Sequence, residues 1–143
     1  LFRSHLRFDI PMLAARLSGA TDWLLDRPEA EGRNLGYFGS STGSAAALIA
    51  SVDQGDTIDA VVSRGGRVDL ASDVLGEVTA PTLMIVGGRD QTVLELNRQS
   101  AERLECEHEI SIVEGATHLF EEPGALDEVA RLAREWFEKH LAG

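Results

Sequence analysis

The chain has 143 residues, a formal net charge of −11, 43% hydrophobic residues and a single cysteine. The length suits one domain with a sizeable core, and the charge argues against nucleic acid and anionic membrane surfaces as partners. One cysteine excludes an internal disulfide and fits a cytoplasmic setting, while no apolar run approaches the roughly 20 residues of a membrane span.

The first residue is Leu1, not Met, so a fragment of a longer protein is expected. From Ile10 to Leu25, apolar residues recur at Ile10, Leu13, Leu17, Ala20 and Leu24. That spacing predicts a helix, with Asp9 and Pro11 at its start. A polar loop follows from Pro28 to Arg33. Leu35-Gly36-Tyr37-Phe38 then reads as a buried strand, and Ser44 to Ala50 as a helix ending near Asp53-Gln54-Gly55-Asp56.

Between that strand and helix lies Gly39-Ser40-Ser41-Thr42-Gly43, a G-x-S-x-G pattern. In a strand–turn–helix context the sharp turn strains the central serine and lifts its hydroxyl above the sheet. Gly39 and Gly43 are expected to let strand and helix approach closely. The backbone N–H of Thr42, at the helix start, would point toward a developing oxyanion. The pattern also arises by chance in Ser/Gly-rich loops, where it marks a plain βα turn.

Ile58 to Ser63 is a second strand, followed by Arg64-Gly65-Gly66-Arg67. Arg64 has two readings: a contact for a substrate carboxylate, or a surface arginine paired with one of many acids. Val68 to Leu75 is expected to be a short helix. Pro81 to Val86 is an uninterrupted apolar run, as in a parallel strand buried on both faces. It ends in Gly87-Gly88-Arg89-Asp90. Asp90 either orients a histidine at the strand's C-terminal edge or caps the helix that starts near Thr92. That helix runs to Leu104, with Val93, Leu94, Leu96 and Leu104 inward.

Ile110 to Val113 alternates like a strand, and His118 follows in a glycine-containing loop, where a histidine can serve as general base. His5, His108 and His140 sit in polar or terminal settings and fit the reading of inert histidines better. The last helix, from Gly124 to Leu141, turns Leu126, Val129, Leu132, Ala133, Trp136, Phe137 and Leu141 inward. Glu121-Glu122 suits its N-terminus electrostatically. Cys106 lies between Glu105 and Glu107, which raise a thiol pKa and disfavour a nucleophilic role. There is no metal-ligand spacing and no phosphate loop, so no cofactor is expected.

Ser41, Asp90 and His118 each follow their own strand. Each interval leaves room for at least one βα unit of roughly 30 residues. The alternation predicts an α/β fold, a three-layer αβα arrangement with four parallel strands and helices on both faces. The order Ser, Asp, His is that of the α/β-hydrolase triad and not that of chymotrypsin or subtilisin.

On these residues the chain resembles the C-terminal half of an α/β-hydrolase domain of the dienelactone hydrolase-like group. The matching stretches are residues 36–43, 83–90 and 115–120. The resemblance implies Ser41 as nucleophile, His118 as base and Asp90 as orienting acid, acting on small-molecule substrates. Dienelactone hydrolase proper carries cysteine at the nucleophile position. Serine here points to general ester or thioester chemistry. Similar sequences stand alone or are fused behind a phosphoribosyltransferase domain. A complete domain of this kind has more strands than the four read here. The N-terminal strands would supply a second oxyanion donor and cover the apolar edge of the Ser41 strand. In this chain that edge is expected to be exposed or paired with another chain, with Leu1 to Phe8 folding back over part of it.

Overall fold

The computed structural model describes residues 2–142, with side chains from Asp9 onward. Helix α1 (Phe2–Leu25) leads into strand β1 (Leu35–Ser40), helix α2 (Thr42–Asp53) and strand β2 (Ile58–Arg64). Strand β3 (Thr82–Gly87), helix α3 (Gln91–Ala101), strand β4 (His108–Val113) and helix α4 (Ala125–Leu141) complete the chain. The four strands form one parallel sheet in the order β1-β2-β3-β4. Every crossover carries the chain back to the same edge, so all four strands end on one side.

Alternate side chains build the two halves of the core. Tyr37, Val61 and Met84 face α1 and α2 and pack with Leu48, Ala45 and Leu75. Val62, Leu83 and Ile85 face α4 and pack with Phe120, Val129, Ala133 and Trp136. Strand β3 is buried along its whole length, as its unbroken apolar run predicts. The three-layer αβα arrangement expected from the alternation of elements is the observed one. Among the described residues, no helix is long and apolar enough to cross a membrane.

Several local expectations are corrected. Helix α1 runs through Pro11 instead of starting there. Ile10 and Ala14, on either side of the proline, are both buried, and their packing outweighs one lost backbone bond. Val68 to Leu75 is not one helix. It forms two 3-10 turns, Val68–Ala71 and Leu75–Glu77, closed by bonds such as Ser72 N–H to Asp69 O and Glu77 N–H to Val74 O. Three-residue turns bring Val68, Ala71 and Leu75 to the core without a continuous helix. Leu126 is exposed and Ala125 is buried in its place, because the inward stripe of α4 runs through Ala125, Val129, Ala133 and Trp136.

Strand β1 is an edge strand and only half buried. Tyr37 lies under α1 and shares a 2.6 Å hydrogen bond with the Thr21 hydroxyl. Phe38, on the opposite face, is 52% exposed. Uncovered apolar surface therefore lies on the Phe38 face of this edge, while Tyr37 on the other face is buried. The proposed cover from Leu1 to Phe8, like the surroundings of His5, concerns side chains outside the described residues.

Candidate active site

At the C-terminal end of β1 the chain turns sharply into α2 at Ser41. Its backbone stands at φ 53°, ψ −126°, a strained conformation for a non-glycine residue. The turn closes this tightly because position 39 lacks a side chain. A Cβ on Gly39 would meet Gly43 O at 2.5 Å and Ser44 Cα at 2.9 Å. Gly43 does not need its small size in the same way: a Cβ there would meet nothing within 4 Å. The close approach is made by the backbone of Gly43, with room for a side chain on its far side. Thr42 is the first residue of α2, so its N–H is among those with no acceptor inside the helix.

A buried polar relay lies behind the turn. Ser63 Oγ donates to Ser44 Oγ at 2.8 Å, and Ser44 Oγ donates to the Gly39 carbonyl at 3.0 Å. Both serines are fully buried. Sequence reasoning passes over this pair, since neither serine belongs to a motif.

Asp90 follows β3 and occupies the N-cap position of α3, yet its side chain makes no cap hydrogen bond. Its Oδ2 instead lies 2.7 Å from His118 Nδ1. An ionised carboxylate only accepts, so in this contact Nδ1 is the donor. Asp90 is 14% exposed and His118 41% exposed at the side chain, so the pair is sheltered at the carboxylate and open at the imidazole. Of the two partners expected for Asp90, its side chain bonds His118 and does not cap α3.

The His118 loop is built to stay in place. Gly87 presses on it: a Cβ there would stand 2.4 Å from Ala116 O. Arg89 N–H donates to Ala116 O at 3.0 Å, joining the acid's loop to the histidine's. Glu122 accepts from the Thr117 amide at 3.0 Å and from its hydroxyl at 2.6 Å. These bonds hold the Glu122 carboxyl below its usual pKa, the hydroxyl bond being the main cause. Glu122 thus serves the loop directly, in addition to any charge effect on α4. Phe120, fully buried at φ 57°, anchors the turn from beneath.

The loop 64–67 connects the pieces. Ser41 N–H donates to Arg64 O at 3.2 Å, and Arg67 N–H donates to Ser41 O at 3.0 Å. Gly65, at φ +54°, has the His118 ring against it, with Cε1 and Nδ1 each 3.4 Å from where a Cβ would be. The structure therefore puts Asp90 and His118 in direct contact. Ser41 is joined to them through this loop, and among the described residues its hydroxyl makes no hydrogen bond.

Arg64 itself is not paired with an acid among the described residues. Its guanidinium lies over the Phe120 ring at 5.6 Å, and its buried Nε has no hydrogen-bond partner. Arg67, by contrast, is spent on Asp69 through two 3.0 Å bonds. Burial is the main reason the Cys106 thiol is pushed up, ahead of the acid beside it. Among the described residues, no three His, Cys, Asp or Glu side chains are grouped to hold a metal ion. Two grooves, of about 490 Å³ beside Ile10, Ile49 and Leu70 and about 540 Å³ beside Ile112, Glu114 and Glu128, are not lined by Ser41, Asp90 or His118.

Known proteins share this architecture. A dienelactone hydrolase from Anabaena variabilis superposes with a TM-score of 0.92 at 53% identity, over 97% of this chain and 64% of that one. A protein of Mycobacterium tuberculosis strain H37Rv, named "Putative phosphoribosyl transferase", is 55% identical over 136 residues, which are 95% of this chain and 31% of the relative. Est1E from Butyrivibrio proteoclasticus shares the fold at 13% identity, with a TM-score of 0.77 over 91% of this chain and 70% of that one. The chain thus spans about a third of the curated relative and under two thirds of the Anabaena hydrolase. The dienelactone hydrolase family model matches residues 10–141, and the chain belongs to that family.

Proposed function

We propose that this chain carries the Ser-His-Asp centre of a serine hydrolase acting on small ester or related acyl substrates. The observation that carries the reading is the 2.7 Å contact between Asp90 and His118, made at the expense of a helix cap. The strained turn at Ser41 and the shared loop 64–67 support it.

In this reading His118 Nε2 takes the Ser41 proton as the hydroxyl attacks the acyl carbon. Asp90 stabilises the imidazolium and keeps the ring oriented. The Thr42 N–H, at the positive end of α2, donates to the oxyanion. His118 returns the proton to the leaving group, and water then resolves the acyl-enzyme by the same steps. Arg64 would offer its unpaired guanidinium to an anionic group of the substrate. A second oxyanion donor would come from N-terminal strands of a longer domain. One such donor is worth roughly 10²–10³ in turnover.

A fluorophosphonate probe tests the reading in the protein that carries this chain. Labelling at Ser41, with loss of labelling and of aryl-ester hydrolysis in Ser41→Ala, is expected. Labelling that survives the substitution rejects Ser41 as nucleophile. The second reading is a non-catalytic module used for assembly or ligand binding beside a partner domain. It draws on the relative named as a phosphoribosyl transferase, of which this chain covers 31%. It expects a protein that the probe does not label.

A further inference from the structure

Asn97 is fully buried on α3, about two turns beyond Asp90. Its Nδ2 donates to Val93 O at 2.8 Å and, across to another segment, to Gly66 O at 2.9 Å. Two carbonyl acceptors fix the orientation of the amide. Its Oδ1 has no hydrogen-bond partner among the described residues. A fully buried amide with an orphan oxygen is a costly way to fill a helix position facing the core. Leucine would fit the apolar pattern set by Val93 and Leu94.

The cost has a geometric counterpart. Gly66 is wedged: a Cβ there would stand 1.9 Å from Ser63 Oγ and 2.5 Å from Ser44 Oγ. Those hydroxyls lead to the Gly39 carbonyl, under the Ser41 turn. The neighbours of Gly66 hold the site itself. Arg64 O and Arg67 N–H bind the Ser41 backbone, and Gly65 lies against the His118 ring. Asp90, at the start of the same helix as Asn97, bonds Nδ1 of that ring. Loop 64–67 is therefore the common reference for all three residues, and Asn97 is the side chain that ties it to the acid's helix.

We propose that Asn97 is a positioning residue, which sets the Ser41 turn against the Asp90–His118 pair by fixing Gly66 to α3. The proposal rests on the triad reading above. Removing the strut lets the loop and the Ser41 turn drift relative to His118. Displacements of about 1 Å cost roughly 10²-fold in such reactions.

The test compares Asn97→Ala and Asn97→Ser with Leu94→Ala, a core truncation on the same helix. Serine at 97 can still bond the Val93 carbonyl one turn back but is too short for Gly66, which keeps a folded variant in hand. Fluorophosphonate labelling is read per folded molecule, well below each melting temperature. Both Asn97 variants are expected to label roughly 10–10²-fold more slowly, and Leu94→Ala at the wild-type rate despite its lower melting temperature. Wild-type labelling in folded Asn97→Ser overturns the proposal. So does equal slowing in Leu94→Ala, which would mark a loss of stability alone. Amide resonances of Ser41 and Arg67 provide a readout that needs no reagent. They are expected to shift in Asn97→Ser and not in Leu94→Ala, and no shift overturns the proposal. A wild-type protein that is not labelled refutes the triad reading instead, and the resonances still decide whether Asn97 holds the turn.

Discussion

The Asp90 carboxylate lies 2.7 Å from His118 Nδ1 while the N-terminus of α3, which Asp90 precedes, goes without a side-chain cap. Asp90→Asn separates the two roles. An amide at this position reverses the tautomer that the proposed triad requires of His118. Esterase turnover is expected to fall by roughly 10⁴. Asparagine caps as well as aspartate, so thermal stability should hardly change. Unchanged turnover in Asp90→Asn, whatever the melting temperature, would reject the role assigned to Asp90.

Gly39 and Gly43 look alike in the motif and differ in the structure. Gly39→Ala drives a Cβ to 2.5 Å from the Gly43 carbonyl. Backbone cannot yield as a flexible side chain would, so a loss of roughly 1–3 kcal/mol or more is expected. Gly43→Ala meets open space within α2. The gain in helix propensity, up to about 1 kcal/mol, makes it neutral or stabilising. Urea denaturation of the two variants checks the contrast.

Ser44 and Ser40 flank the turn, but only Ser44 is fully buried in the relay. Ser44→Ala strips the acceptor from the Ser63 hydroxyl and the donor from the Gly39 carbonyl. Each unmet buried group costs about 1–3 kcal/mol. Ser40→Ala should be within about 0.5 kcal/mol of wild type. Equal stabilities in chemical denaturation would mean that the relay contributes nothing.

Glu122 gives the His118 loop a pH dependence. Its carboxyl is held below its ordinary value by the Thr117 hydroxyl first and the Thr117 amide second. A depressed folded value means the contribution is complete above the unfolded pKa, about 4.3. It is lost as the pH falls through the folded value. Amide exchange at Thr117 should lose protection in that acid range. Glu122→Gln should show weaker protection at neutral pH and little change on acidification. Identical profiles would remove Glu122 from the support of the loop.

Phe38, 52% exposed on edge strand β1, is the basis of a prediction about association. An unpaired edge with an apolar side chain templates pairing with another chain. The 143-residue chain is expected to self-associate in sedimentation, and Phe38→Lys to weaken that association. A monomer at all concentrations would show that the edge needs no cover.

Much of the fold is legible in local pattern. The apolar run from Pro81 to Val86, the alternation at Ile110 to Val113 and the turn chemistry of residues 39–43 are short-range properties, and the observed strands and the turn follow them. Ser41, Asp90 and His118 stand out because each follows a strand. A parallel sheet gathers strand ends on one edge whatever its detailed packing. Asn97 carries a weaker signal. It falls at helical spacing from Val93 and ahead of Ser100, a polar residue on a buried stripe. The departures are equally local in origin. Leu126 and Ala125 are one residue apart, and hydrophobicity alone picks the larger.

The sequence by itself determined the order of elements, the parallel sheet and which three residues reach its C-terminal edge, because periodicity and turn chemistry act over a few residues. The tertiary structure alone decided which hydrogen bonds those residues make. Asp90 had a nearby helix end and a histidine 28 residues away to choose between, and it took the distant partner. Ser44 met Ser63 and Asn97 met Gly66 across gaps of 19 and 31 residues. Such choices depend on the register of β1, β2 and β3 and on the close approach at Gly39 and Gly66. A buried polar group bonds to whatever the packed fold brings within about 3 Å, and that distance is set only when the layers have closed.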